Sequence, residues 1–453
     1  MNRTGTVDVN ALIDQSPISR FQVLILLLCF AIVALDGFDT GAIGYIAPSL
    51  VAAWGVSKPA LTPVLSAALF GLAAGALIAG PLADRFGRKA VLIASVALYG
   101  GFSLSTALAH GVEDLTALRF LTGLGLGAAM PNAVTLMSEY CPARRRAIIV
   151  NTMFCGFPLG ISAGGLLAAW LIPHFGWRSV LVVGGAAPLL LAAALIPLLP
   201  ESILYMVVRR GSADRILRIL SRIAATGLEG AERFVASEKQ ADGARTAAHL
   251  ITSKSYVVGS AMLWLTYFMG LVIFYLVMMW LPLLMRESGF TTQGASLFAA
   301  MFPLGGGIGT IFSGWLMDKV VPHKVVASAY ALTGVLLFAV GQTMGLPAML
   351  GLMIFLAGTA MNGAQSSMPA LAAAYYPTSA RATGVAWMLG IGRFGAIAGT
   401  LVGGQLMSMQ LSFGTIFTLL VIPSFIAAAA LAIKYLVARH DLPLAEPVQA
   451  LGH

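Results

Sequence analysis

The sequence predicts an all-α integral membrane protein of twelve transmembrane helices, divided into two six-helix halves. Three observations carry that prediction. The 453 residues are 58% hydrophobic and 10% charged, with a mean hydropathy of +0.88, too apolar for an ordinary soluble domain. Twelve apolar runs are each long enough to cross about 30 Å of hydrocarbon. The Lys and Arg residues collect in alternate loops, as membrane topology requires. A net charge of +9 and a pI near 9.6 would also suit a nucleic-acid partner, but the placement of the basic residues assigns them to topology instead. No nucleic-acid partner is expected.

In chain order, residues 1–20 mix polar residues with Val9, Leu12, Ile13 and Ile18, the pattern of a short amphipathic helix on the cytoplasmic surface. They lack a basic n-region followed by a short apolar core and a cleavage site, so the first apolar run is expected to be retained as a helix. The spans fall near 21–48, 60–82, 90–109, 115–138, 147–172 and 178–199, then 255–284, 295–317, 324–343, 347–372, 382–408 and 412–437. The expected organisation is therefore an N-terminal half over 21–200, a linker over 201–254, a C-terminal half over 255–437 and a tail over 438–453. Within the linker, Ile216, Leu217, Leu220 and Ile223 recur at helical spacing among charges, as in a solvated helix at the membrane surface.

Orientation follows from the loops. With the N-terminus inside, 22 of the 27 basic residues fall on the cytoplasmic side, and only Lys58, Arg178 and Arg286 fall outside. The cytoplasmic set runs from Arg3 and Arg20 through Arg144, Arg145 and Arg146 to Lys254, Lys319, Lys324, Arg381, Lys434 and Arg439. Both termini are expected to be cytoplasmic. An internal repeat supports the two halves: Gly80 to Asp84-Arg85 closes span two and Gly314 to Asp318-Lys319 closes span eight, offset by 234. Pro142 with Arg146 and Pro377 with Arg381 repeat at 235. Nearly equal offsets imply halves of like orientation, with substrate bound between them.

Asp36 and Asp39 are the acids that stand well inside a span. Three residues apart on a helix, they share a face. Each charge near the bilayer centre costs roughly 2.5–3.5 kcal/mol on insertion scales, so a site where protons or ions load is the stronger reading than an ion pair that merely holds helices together. Arg119, inside span four, is a buried cation that needs a carboxylate, and Asp39 lies at the more similar depth. Cys29, Cys141 and Cys155 are odd in number and sit in or beside apolar runs, so they read as packing residues.

Residues 80–89, GPLADRFGRK, resemble the loop signature of the major facilitator superfamily. The resemblance implies a latch on the cytoplasmic side, with Gly80, Asp84, Arg85, Gly87, Arg88 and Lys89 as gating residues. Glu139 beside Arg144 to Arg146 reads as a loop salt-bridge partner of that latch. The glycines suit close helix approach and a tight turn. RFLTGLGLG, from Arg119, resembles the fourth-helix motif whose Arg takes part in proton coupling. More narrowly, LDGFDTGAIGYIAP at 35–48 is similar to the first-helix signature of the aromatic acid:proton symporters. MPNAVTLMSEYCP at 130–142, FCGFPLG at 154–160, LPES at 199–202 and YYPTSARATGVAW at 375–387 are similar to that family too. The amino-terminal wording is nearest that of carriers of 4-hydroxybenzoate and protocatechuate, with benzoate carriers near by. Where the first loop has Phe-Gly-Arg-Lys the second has Val320-Val321-Pro322-His323, a departure that puts its latch role in doubt.

The resemblance implies a major facilitator fold and proton-coupled import of an aromatic carboxylate across the cell inner membrane, by alternating access. Asp36, Asp39 and Arg119 then couple the proton. Arg393 sits about 15 Å into span eleven, near the midplane, where a guanidinium can grip a carboxylate with two hydrogen bonds. Trp264, Tyr267, Phe274, Tyr275 and Trp387 are candidates to stack on the ring, and Asn362 and Gln365 to meet a ring hydroxyl. Trp177 and Trp280 read as interfacial belt residues. The partners expected are the substrate, protons and membrane lipid, with a functional monomer and no cofactor beyond the proton gradient. All six His residues fall outside the expected spans, so no buried haem or metal site and no enzyme activity are expected. Two rival readings are an efflux antiporter and an aromatic-acid sensor. Span five has Gly160, Gly164 and Gly165 but not the Gly-Pro step of the antiporter signature, and no added signalling domain is visible.

Overall fold

In the computed structural model each apolar run of the sequence forms a helix. The structure describes residues 6–209, 212–224, 233–235, 249–253, 255–317, 319–376 and 380–441. The linker and the tail therefore lie only partly within it, and Arg3, Lys254, Asp318 and Pro377 lie outside it. Twelve helices have the length and apolarity to cross a membrane: α1 (Arg20–Trp54), α2 (Lys58–Phe86), α3 (Arg88–Thr106), α4 (Val112–Glu139), α5 (Ile148–Phe175), α6 (Arg178–Leu198), α7 (Val257–Glu287), α8 (Thr292–Met317), α9 (Pro322–Gln342), α10 (Pro347–Tyr375), α11 (Thr383–Ser408) and α12 (Phe413–Leu436). Large apolar side chains such as Leu77, Leu190 and Ile311 face outward, as suits lipid rather than water. The chain is a multi-pass membrane protein.

Two compact units form. One holds the described residues up to Val235 with Met278–Ala300, the other those from His249 to Val277 and from Met301 onward. Within each, the same pair of helices packs backbone to backbone through glycine. In the first unit a Cβ on Gly71 or Gly75 of α2 would collide with the carbonyl of Phe120 or Leu124, and one on Gly123 of α4 with that of Ala68. In the second unit Gly305 and Gly309 of α8 meet the carbonyls of Phe355 and Thr359, and Gly358 of α10 meets that of Phe302. The positions correspond at 234 (71 to 305, 75 to 309) and 235 (123 to 358), the offsets of the loop repeat. Small residues at helix contacts replace the hydrophobic driving force that lipid removes. The duplication is thus legible in packing as well as in sequence.

Several expectations are corrected. Helix α1 runs past residue 48: Pro48 lies inside it, and Gly55, at φ +62°, ends it. The helix Val9–Gln15 forms, and its apolar face packs on the linker. Val9 and Ile13 are buried in one cluster with Ile216, Leu220, Ile223 and Phe234 of the linker. Beside them Thr6–Asp8 (β1) pairs in parallel with Arg233–Val235 (β2). The apolar face of the linker helix is packed, while its charged residues Asp214, Arg215 and Arg218 are exposed, as expected of a solvated charge run. Trp280 is fully buried rather than interfacial, and Trp177 is buried against Trp54, their rings 5.6 Å apart. His174 lies within α5 and His323 within α9. Lys434, counted on the cytoplasmic side at the end of span twelve, is 1% exposed, its Nζ 2.6 Å from His323 Nε2 and 4.1 Å over the Tyr375 ring.

Candidate functional site

The first unit holds a charged centre made from α1, α3 and α4. Asp39 and Arg119 are completely buried, and Arg119 Nη1 donates to Asp39 Oδ2 at 2.9 Å. Arg119 Nη2 also donates to the Asp39 backbone oxygen at 3.3 Å, and Ser103 Oγ donates to Asp39 Oδ1 at 2.6 Å. Each Asp39 oxygen thus has its own donor. Asp36, one turn earlier and 2% exposed, accepts from Thr40 Oγ1 at 3.3 Å. Removing one partner of such a pair leaves an uncompensated buried charge, typically at a cost of about 3–5 kcal/mol.

The basic loop between α2 and α3 forms a second constellation. Arg88 bonds Asp84 at 2.9 Å, but Asp84's side chain is 72% exposed, so that pair contributes about 0–1 kcal/mol. The better-buried contacts run elsewhere. Arg88 lies 3.9 Å from Glu139, which also bonds Ser202, so the ion pair resolved for Glu139 runs to this loop. Gly87 takes φ +92°, a region that side chains rarely adopt, and a Cβ there would meet the Glu201 carboxylate. Glu201 Oε1 accepts from the backbone N–H of Lys89 at 3.0 Å, capping the first turn of α3 where the helix dipole favours an anion. Lys89 Nζ donates to Ile196 O at 2.7 Å. Tyr205 and Arg209 bond the backbone oxygens of Arg85 and Asp84 at 3.1 and 3.0 Å. Gly80 meets nothing within 4 Å, so close helix approach does not explain it.

Sequence reasoning missed Glu201, although LPES at 199–202 was a signal. Replacing Glu201 by Ala should cost about 1–2 kcal/mol, as for a lost helix cap, and Gln, which keeps one acceptor, should cost less. Thermal unfolding in detergent checks both; equal midpoints for wild type and Ala would remove Glu201 from this role.

In the second unit, Tyr330 donates to Gln365 Oε1 at 2.5 Å and Gln365 Nε2 donates to the Tyr267 backbone oxygen at 3.4 Å. Arg393 is half-buried and acts electrostatically on Tyr267. Gly392, Gly395 and Gly399 set α11 against Tyr267, Phe268 and Val272 of α7. Asn362 Nδ2 donates to Gly358 O at 3.0 Å and packs on Gly306. Trp264 and Trp387 lie 5.7 Å apart at 35°, and Trp387 is 43% exposed. Phe274 and Tyr275 are buried edge to face, with Phe274 6.1 Å from Phe302. The structure thus groups Tyr267 with Gln365 and Arg393, and Trp264 with Trp387. Asn362, Phe274 and Tyr275 pack within their own helix contacts.

The family model of the Major Facilitator Superfamily matches residues 29–333 and again 263–451. The chain belongs to the Major Facilitator Superfamily. Among the superfamily's curated members it is 50% identical over 436 residues to the 4-hydroxybenzoate transporter PcaK of Pseudomonas putida, covering 96% of this chain and 97% of that one. It is 47% identical over 425 residues to a gallate transporter of the same organism, covering 94% of each. A solved D-xylose-proton symporter superposes with a TM-score of 0.70 at 19% identity, over 90% of this chain and 97% of that one, a likeness of fold. These superfamily relatives are transporters, and the chain is a transporter rather than an enzyme.

Proposed function

We propose that this chain is a proton-coupled symporter that imports aromatic carboxylates of the 4-hydroxybenzoate and protocatechuate type, with benzoate a further candidate. It would act across the inner membrane by alternating access, as a monomer with both termini cytoplasmic. Residues 21–200 and 255–437 would be the two halves that exchange access, with the Arg88 loop as a cytoplasmic latch. The observation that carries this reading is the fully buried Asp39–Arg119 pair, taken beside relatives named as 4-hydroxybenzoate and gallate transporters.

Burying two charges costs several kcal/mol per ion, and apolar side chains would join the helices without that cost. What apolar side chains cannot do is change charge. A proton on Asp39 removes its attraction to Arg119, so proton loading alters which arrangement of α1 and α4 is favoured. The neutralised site then moves at lower electrostatic cost. In the second unit Arg393 is the proposed carboxylate anchor, since its guanidinium matches a carboxylate with two parallel bonds. Trp264, Trp387 and Tyr267 are the proposed ring contacts, with Phe274 and Tyr275 behind them. Gln365 and Asn362 would meet a ring hydroxyl by exchanging the bonds they now make.

Radiolabelled 4-hydroxybenzoate uptake into proteoliposomes tests the proposal. An inward proton gradient is expected to drive accumulation, with unlabelled protocatechuate competing more strongly than benzoate or muconate. No gradient-driven uptake of any of these acids by folded protein would overturn it.

A further inference from the structure

Tyr99 is one of the buried residues of the first unit that carry an unpartnered polar atom. It lies on α3 one turn before Ser103, the residue that donates to Asp39. Its side chain is completely buried, and its hydroxyl has no hydrogen-bond partner among the described residues. Its backbone packs closely on α4, where a Cβ on Gly125 would press on Tyr99 Cβ and its backbone nitrogen. The charges of Asp36 and then Asp39 act on the hydroxyl. From α4 the charged neighbour of these acids is Arg119, already engaged with Asp39. From α6 the titratable group is Arg178, held at the carbonyls of Ala107 and Ala109.

A buried hydroxyl without a partner is a standing cost, and such groups in native proteins call for an explanation. Arg119 and Tyr99 differ in what they can serve, and the Ser103 hydroxyl is already engaged with Asp39 Oδ1. A guanidinium only donates, so Arg119 satisfies a carboxylate and has no bond to offer the proton of a carboxylic acid. A phenol both donates and accepts, so it can take the O–H of a protonated acid. While Arg119 and Asp39 are paired, the Tyr99 hydroxyl bonds none of the described residues. Whatever it contributes therefore falls on the state in which that pair is open.

We propose that Tyr99 is the hydrogen-bond partner of the proton-loaded Asp36–Asp39 pair, a positioning residue that stabilises the loaded form. The inference rests on the proton-coupled reading above. Its test is Tyr99→Phe, which removes one oxygen and leaves the ring. Initial uptake of 4-hydroxybenzoate into proteoliposomes is followed against external pH for wild type and variant. Losing a bond made only by the protonated form makes loading harder, so the half-maximal pH should move downward. One hydrogen bond corresponds to about fivefold in proton concentration, or about 0.7 of a pH unit. Because the hydroxyl bonds none of the described residues in the paired state, the variant's unfolding midpoint should equal or exceed that of wild type. An unshifted pH profile, with or without a lowered midpoint, would overturn the role of Tyr99 while leaving the symporter reading intact. Wild-type uptake indifferent to the proton gradient would overturn both.

Discussion

Replacing Asp39 by Asn is expected to abolish accumulation driven by a proton gradient, while counterflow exchange at equal pH continues. The amide retains the shape of the carboxylate and an acceptor for Ser103, and the Arg119 bond to the backbone oxygen of residue 39 is untouched by the change. What is lost is the charge and the ability to take up a proton. Arg119 is then left with reduced compensation in a site closed to water, so the unfolding midpoint should fall, though by less than for Asp39→Ala. The double variant Asp39→Asn with Arg119→Gln separates structure from coupling. Removing both charges should recover much of the lost stability, because the penalty of a broken pair lies mainly in the charge that remains. Coupling should stay absent. Accumulation against a gradient by Asp39→Asn, normalised to folded protein, would sink the assignment.

The helices were legible because hydropathy over about twenty residues is a strong signal and lipid leaves the backbone few alternatives. Their ends were less so: the first span was expected to end near residue 48, yet the helix continues to the left-handed Gly55. The Asp39–Arg119 pair was legible for the opposite reason, since a charge in a span is rare and demands a partner at similar depth. Contacts that depend on which surface covers a half-apolar face were not legible. Val9 and Ile13 announce a buried side, but the spacing that suits lipid equally suits the face of Ile216 and Leu220, and β1 meets a strand more than two hundred residues away. Trp280 shows the same ambiguity for a single ring near a helix end. Glu201 caps α3 from 112 residues downstream, and although LPES at 199–202 marks the acid, nothing local in either segment marks its partner.

The second large effect is expected at Arg393. Lys in its place keeps the charge but offers a point charge on a flexible stem instead of a planar fork. If Arg393 grips the substrate carboxylate with two bonds, losing one bond to a charged group should raise KM by about tenfold to a hundredfold, with the maximal rate changed less. Folding should be little affected, because the side chain is only half-buried and the adjoining Gly392, Gly395 and Gly399, which set α11 against α7, are unchanged. The decisive comparison pairs the substitution with a substrate lacking the carboxylate. 4-Hydroxybenzamide as a competitor should bind wild type far more weakly than 4-hydroxybenzoate does, and that difference should shrink in Arg393→Lys. A preference for the acid that survives the substitution in full would mean that the carboxylate is read elsewhere. Arg393 would then serve its Tyr267 neighbourhood instead, and the search for the anchor would move to another cation.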